Sequence, residues 1–110
     1  MDVVQGTLDM LVLRTLVFGP LHGYGIAKAI ETGSGGKLDI EFGSLYPALK
    51  RVEQKGWVSS SWETSDSKRR AKFYRLTPAG RRQLQAEHSQ WTEFVRAVAA
   101  IMGPLPGSNT

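Results

Sequence analysis

Four cationic side chains crowd into five consecutive positions of the sequence, and their chemistry is that of phosphate binding. They are Lys68, Arg69, Arg70 and Lys72, and a polar turn over 65–67 precedes them. Lysine and arginine at a hairpin tip can neutralise backbone phosphates, which positions a protein on nucleic acid without reading its sequence. Runs of charge also occur at solvated hairpin tips that bind nothing. The residues around this cluster are therefore needed to choose between phosphate binding and a solvated tip.

The distribution of charge along the chain favours phosphate contact. Residues 41–82 hold 10 of the 14 Lys and Arg but only 4 of the 10 Asp and Glu, a net charge of +6. The other residues of the 110-residue chain sum to −2, so the overall +4 is one basic segment on a near-neutral body. This pattern is typical of a DNA-binding module.

A helix predicted over 44–55 precedes the basic turn and can present groups to a groove. Its apolar residues Leu45, Leu49 and Val52 follow i, i+4, i+7 spacing and should face the core. Recognition helices read bases mainly with their N-terminal residues, where hydroxyl groups hydrogen-bond and apolar atoms touch thymine methyls. The predicted DNA-contacting residues are Ser44, Tyr46, Pro47, Lys50, Arg51, Lys68, Arg69, Arg70 and Lys72.

Alternative roles remain open for part of this set. Ser44 can simply cap the helix, with Pro47 in the first turn, where its missing N–H group has no partner to lose. Tyr46 can pack at a seam between elements. Lys50 and Arg51 are placed on the open side of the helix, opposite the three apolar residues.

The remaining elements complete a recognisable order. Helices are predicted over 6–18, 24–32 and 78–102, and strands over 57–64 and 70–76. Thr7 can cap the first helix, with Asp9 in its first turn, and Thr77-Pro78 opens the last helix. The order is typical of a mainly α fold with a small β-hairpin (α+β), a winged helix-turn-helix with a long C-terminal dimerisation helix.

The last predicted helix carries an apolar seam at heptad spacing, which indicates pairing with a second helix. At about 1.5 Å per residue it would be about 37 Å long, more than a small monomer can cover. The predicted dimerisation residues are Leu8, Leu11, Leu84, His88, Trp91, Val95, Val98 and Met102. The predicted organisation is a DNA-binding domain over 1–77, a dimerisation helix over 78–102 and a flexible tail over 103–110.

Other functional classes find little support in the sequence. There is no cysteine, His22 and His88 are far apart, and no paired carboxylates suggest acid–base catalysis. The Gly-rich segment over 33–37 lacks phosphate-loop spacing. We therefore expect no catalytic site, metal or cofactor. The absence of a basic leader or a long apolar run predicts a cytoplasmic protein with no membrane partner.

Three motifs resemble those of the PadR family of bacterial transcriptional regulators. They are L-H-G-Y-G-I (21–26), G-S-L-Y-P-A-L-K-R-V-E-Q-K-G-W-V (43–58) and F-Y-R-L-T-P-A-G-R (73–81). The likeness covers roughly residues 5–100 and is that of the short subtype, with a single C-terminal helix. It implies a homodimeric repressor on a pseudo-palindromic operator of double-stranded DNA. Helix three would enter the major groove, the wing would touch the adjacent backbone or minor groove, and the last helix would swap across the dimer.

The resemblance also implies a ligand site in some members. These bind phenolic acids or flat aromatic drugs at the dimer interface, sometimes through a tryptophan to which Trp91 would correspond. Trp91 on the seam is also explained by dimer packing alone. Two further functions stay open: a winged-helix protein–protein interaction module whose basic face meets an acidic protein, and a ligand-binding dimer that uses DNA incidentally.

Overall fold

Four helices and a three-stranded antiparallel sheet form the chain in the computed structural model, which describes residues 5–107. The elements are α1 Gln5–Thr15, β1 Leu21–His22, α2 Gly23–Gly33, α3 Phe42–Gln54, β2 Val58–Thr64, β3 Arg70–Leu76 and α4 Pro78–Met102. The expected α+β class, with a long C-terminal helix, is confirmed. The short strand β1 was not predicted. Residues 1–4 and 108–110, parts of the predicted DNA-binding domain and flexible tail, lie outside the described range.

The core gathers around α1, which packs against α2, α3 and α4. The apolar row of α3 is confirmed, since Leu45, Leu49 and Val52 are all buried. Leu8 and Leu84 are also buried within this single chain. Within this chain their side chains are enclosed by its own core and leave little surface for a second copy, so their role in dimerisation stays a prediction. Leu11 is partly buried against the same core.

The boundaries of α1 differ from the predicted ones at both ends. The helix begins at Gln5, so Thr7 and Asp9 lie inside it and neither has the N-terminal role predicted for it. It ends at Thr15, after which the N–H groups of Leu16, Val17 and Gly19 each donate to the carbonyl three residues earlier. These tighter i→i−3 bonds close the helix before residue 18.

The start of α3 corrects the predicted cap. The backbone carbonyl of Glu41 accepts hydrogen bonds from the N–H groups of Ser44 and Leu45, both at 3.0 Å. Glu41 is the N-cap, and Ser44 lies within the helix. Pro47 therefore lies inside the helix and not in its first turn, so its missing N–H removes one internal hydrogen bond.

The hairpin of β2 and β3 forms the wing, and its bounds confirm the predicted return strand. Ser60 pairs with Tyr74 across the hairpin, while the two residues of β1 pair with Tyr74 and Phe73 on the other edge of β3. At the tip the N–H of Ser65 donates to the carbonyl of Arg69 at 2.8 Å. The sheet order β1-β3-β2 thus places β3 in the centre and joins the wing to the start of α2.

Helix α4 has the predicted bounds and the predicted cap. Thr77 accepts a hydrogen bond from the N–H of Gly80 through its side-chain hydroxyl, at 3.0 Å, and Pro78 takes the first helical position. Only the first turns of α4 reach the core, through Gly80 and Leu84. None of the helices described within residues 5–107 has the length and apolar character that a membrane span requires.

Candidate nucleic-acid interface

A cleft of about 790 Å³ lies between α3, the start of α2 and the wing. Its walls bring together four of the predicted DNA-contacting residues: Tyr46, Arg69, Arg70 and Lys72. Ser44, Pro47 and Lys50 are exposed on α3, and Lys68 is exposed at the wing tip, outside the walls of this cleft. Residues that are far apart in the sequence therefore form one surface with cationic and aromatic groups.

Tyr46 is held in place although 55% of its surface is exposed. Its ring stacks on that of Phe42, with centroids 5.6 Å apart and planes inclined by 26°. The ring also lies beside Gly23, where a β-carbon would stand 3.4 Å from its Cε1 atom. The start of α2 thus supports the aromatic ring that α3 presents to solvent.

Arg51 does not share the open side of α3 with Lys50, and that expectation is wrong. Its Nη2 and Nε atoms donate to the two carboxylate oxygens of Asp9 at 2.7 and 3.2 Å. This hydrogen bond to a carboxylate raises the pKa of the guanidinium above its usual value. The guanidinium is directed to α1, so a phosphate would have to compete with Asp9 for it.

Lys72 is also engaged within the protein. Its Nζ lies 3.5 Å from Oε1 of Glu53 on α3, while Ser60 of β2 donates to the other oxygen of that carboxylate. Glu53 therefore ties α3 to both strands of the wing. The same ammonium group lies 5.7 Å from the ring centre of Tyr74, whose pKa is raised mainly by burial.

Sequence reasoning missed two aromatic residues of this surface. Trp62 of β2 is 61% exposed, and the guanidinium of Arg70 lies 6.0 Å from its ring centre. Tyr24 of α2 is 65% exposed, although Ile30 of the same helix is buried.

His22 has a structural role at the start of α2. Its Nδ1 accepts a hydrogen bond from the N–H of Gly25 at 2.9 Å and so caps α2. The edge of its ring packs on Phe73 of the wing, with centroids 5.2 Å apart. The imidazole thus connects the start of α2 to β3 at the floor of the cleft.

A second surface follows the exposed half of α4. The seam residues Trp91, Val95, Val98 and Met102 are all at least 40% exposed in the single chain. Thr92 donates to the carbonyl of His88, whose side chain is exposed too. A shallow cleft of about 330 Å³ separates this part of α4 from Gly6, Thr7 and Met10 of α1, with Trp91 and Phe94 on its α4 side.

Comparison with known proteins agrees with this geometry. A regulator from Clostridium thermocellum is 28% identical, with a TM-score of 0.81 over 91% of this chain and 97% of that one. A PadR family regulator from Eggerthella lenta is 34% identical, with a TM-score of 0.76 over 90% and 84% of the two chains. A Mycobacterium tuberculosis transcriptional regulator is 35% identical over 62% of this chain and 63% of its own length.

The family assignment rests on a sequence profile as well as on these relatives. The profile of the transcriptional regulator PadR-like family matches residues 12–86, which span α1 to the first turns of α4. Its members are regulators of transcription and not enzymes. The chain therefore belongs to the PadR-like family of transcriptional regulators.

Proposed function

We propose that the chain is a DNA-binding repressor of transcription that acts as a homodimer on a pseudo-palindromic operator. The observation that carries the proposal is the shared surface of α3 and the wing, where Tyr46 stands opposite Arg69 and Arg70. Family membership supports it independently. A protein with both a groove-reading helix and backbone-binding cations has the two components that specific DNA binding requires.

Helix α3 is the proposed reading element. Ser44, Tyr46, Pro47 and Lys50 are exposed along it, while its apolar row is enclosed in the core. Hydroxyl and ammonium groups can hydrogen-bond base edges in the major groove, and the proline ring can touch a thymine methyl. Base selection is therefore assigned to this face of α3.

The wing is the element proposed to contact the DNA backbone. Lys68, Arg69 and Arg70 surround its tip, and their charges would replace condensed counterions on phosphates. Lys72 would contact a phosphate oxygen only by leaving its carboxylate partner, Glu53. If it keeps that ion pair, it holds the wing to α3 instead. Trp62 and Tyr24, exposed beside these cations, add flat surfaces that can pack on sugars.

A homodimer is proposed because the second half of α4 lies exposed with apolar side chains at heptad spacing. Trp91, Val95, Val98 and Met102 form one row that this chain leaves open to solvent. Apolar rows of this kind mark protein interaction sites, and the same row on a second copy is complementary to it. A two-fold dimer would place two copies of α3 on successive half-sites of a palindrome.

A small aromatic effector that releases the DNA is the further part of this proposal. The shallow cleft beside Trp91 and Phe94 offers two rings, with centroids 6.0 Å apart, on the same face as the proposed dimer row. A flat aromatic compound such as a phenolic acid should quench the Trp91 fluorescence. The variant Trp91→Phe is the control, because Trp57 and Trp62 also fluoresce.

Binding to duplexes taken from beside the coding region of the protein tests the function. We expect a preference of about 10³-fold or more over scrambled duplexes of the same length at physiological salt, and lower transcription from a promoter that contains the preferred site. Equal affinity for all duplexes would exclude the proposed function as an operator-specific repressor. Strong binding to an acidic protein, without DNA preference, would favour the interaction module.

A further inference from the structure

Asp9 is the one buried charged side chain among the residues described from 5 to 107, with 5% of its surface exposed. It lies on α1, in the middle of the core-facing part of that helix, between Leu8 and Val12. Its two oxygens accept the fork of hydrogen bonds from Arg51 of α3, 42 positions away in the sequence. A carboxylate in such a place needs a partner, since burial of an unpaired charge is strongly unfavourable.

The geometry of this pair constrains α3 in a way that its apolar contacts do not. Hydrophobic packing is non-directional, so Leu45 and Leu49 would tolerate a small rotation of the helix. A guanidinium that donates two hydrogen bonds to one carboxylate is satisfied at only one distance and orientation. Buried ion pairs contribute little net stability compared with apolar replacements, which makes a role in fixing one arrangement the better account of this one.

The pair is close to the residues assigned to base reading. Arg51 directly follows Lys50 and lies five residues after Tyr46 on the same helix. A rotation of α3 by about 20° would carry a side-chain tip about 6 Å from the axis through about 2 Å. A displacement of that size abolishes a hydrogen bond to a base edge, because such bonds weaken steeply beyond about 3.2 Å.

We propose that Asp9 is a positioning residue for DNA reading, which sets the rotation of α3 on α1 through Arg51. The proposal rests on the proposed function of α3. Asp9 itself cannot touch DNA, because it is enclosed in the protein and paired with Arg51. A change in base selection that follows its substitution would therefore be indirect, and Arg51 is the residue of α3 that Asp9 binds.

The specificity ratio, the affinity for the operator divided by that for a scrambled duplex, tests the proposal. Asp9→Asn keeps the size of the side chain and removes its charge, while Arg51→Lys keeps the charge and removes the fork. In both variants we expect the ratio to fall about tenfold, as when one base contact is displaced. The affinity for scrambled DNA and the slope of log affinity against log salt should stay at their wild-type values, since no phosphate contact is lost.

Two further variants separate positioning from plain stability. Val12→Ala creates a cavity one turn further along the same face of α1 and should lower stability while it leaves the ratio unchanged. The double variant Asp9→Leu with Arg51→Met replaces the pair by apolar side chains, so it should fold well and still show the reduced ratio.

The outcomes are distinguishable. A folded Asp9→Asn or double variant with the wild-type ratio overturns the positioning role, and so does a ratio that falls equally in Val12→Ala. A salt slope shallower by about one unit in the double variant, but not in Asp9→Asn, would show instead that Arg51 contacts phosphate. A wild-type protein with no preference among duplexes overturns the proposed function itself, and this inference with it.

Discussion

Gly80 of α4 lies directly against the backbone carbonyl of Trp57, at a spacing that leaves no room for a side chain. A β-carbon on Gly80 would stand 1.9 Å from the carbonyl oxygen and 2.8 Å from the carbonyl carbon. The N–H of Thr77 donates to the same oxygen at 3.0 Å, and the Thr77 hydroxyl donates to the carbonyl of Gly56 at 2.7 Å. These contacts join α4 to the turn between α3 and the wing.

Gly80→Ala should therefore destabilise the protein, although glycine to alanine inside a helix ordinarily stabilises by about 0.5–1 kcal/mol. The clash is with backbone atoms, which cannot rotate away, and overpacking of this kind costs about 1–3 kcal/mol. Gly43→Ala in α3 is the control, because a β-carbon there would meet no atom within 4 Å. Urea unfolding of both variants measures the effect. If Gly80→Ala were as stable as the wild type, α4 would have to shift freely on Trp57.

Replacement of Arg69 and Arg70 by alanine should weaken binding equally to specific and scrambled DNA. These side chains are expected to neutralise phosphates, so the slope of log affinity against log salt should become shallower by about one unit per lost contact. Lys28→Ala, which removes an exposed cation of α2 that does not line the cleft, should leave the slope close to the wild-type value. An unchanged slope in the double variant would exclude phosphate contact by the wing tip.

Tyr46→Ala should reduce operator binding more than binding to scrambled DNA, by about 1–3 kcal/mol if the residue reaches a base. Tyr46→Phe keeps the ring, and with it the stack on Phe42 and the contact with Gly23, so it isolates the hydroxyl group. Fluorescence anisotropy with both duplexes measures the two losses. Equal losses on the two duplexes would make Tyr46 a residue that positions the protein without selecting bases.

Val95→Asp should yield a monomer that binds its operator weakly. Burial of a large apolar side chain is worth about 1.5–3 kcal/mol, and a two-fold interface contains every substitution twice. Sedimentation compares this variant with Ala100→Asp, which introduces the same charge on the opposite side of α4. If Val95→Asp remained a dimer with full operator affinity, the dimer would have to be built elsewhere than on the exposed row of α4.

The periodicity of apolar residues predicted which side chains of this protein are buried better than it predicted the polar contacts. The spacing of Leu45, Leu49 and Val52 identified the buried face of α3, because a helix period of 3.6 residues leaves one solution. The same reasoning assigned Leu84 to the dimer seam, since a heptad row continues from the exposed half of α4 into the core without a change of residue type. Sequence alone does not show where along a helix the chain's own packing stops.

The errors in the candidate site come from tertiary contacts. Arg51 was placed by helical phase alone, and nothing in the sequence links it to Asp9, 42 positions earlier. The start of α3 at Phe42 places Ser44 inside the helix, although serine is favoured at the capping position. Strand β1 has two residues, too few for any alternation to be visible.

Strand β1 has only two residues, but it determines which part of the wing is held by neighbouring elements. It pairs with β3 at Phe73 and Tyr74, and His22 anchors the same place to α2, so β3 is paired on both edges there, while β2 is the outer strand of the sheet. The tip beyond Thr64 and Arg70 has no such neighbour, and Lys68 there adopts a left-handed conformation with φ of 63°. In the proposed complex with DNA, adjustment to grooves of different width would therefore fall to the five tip residues, 65–69.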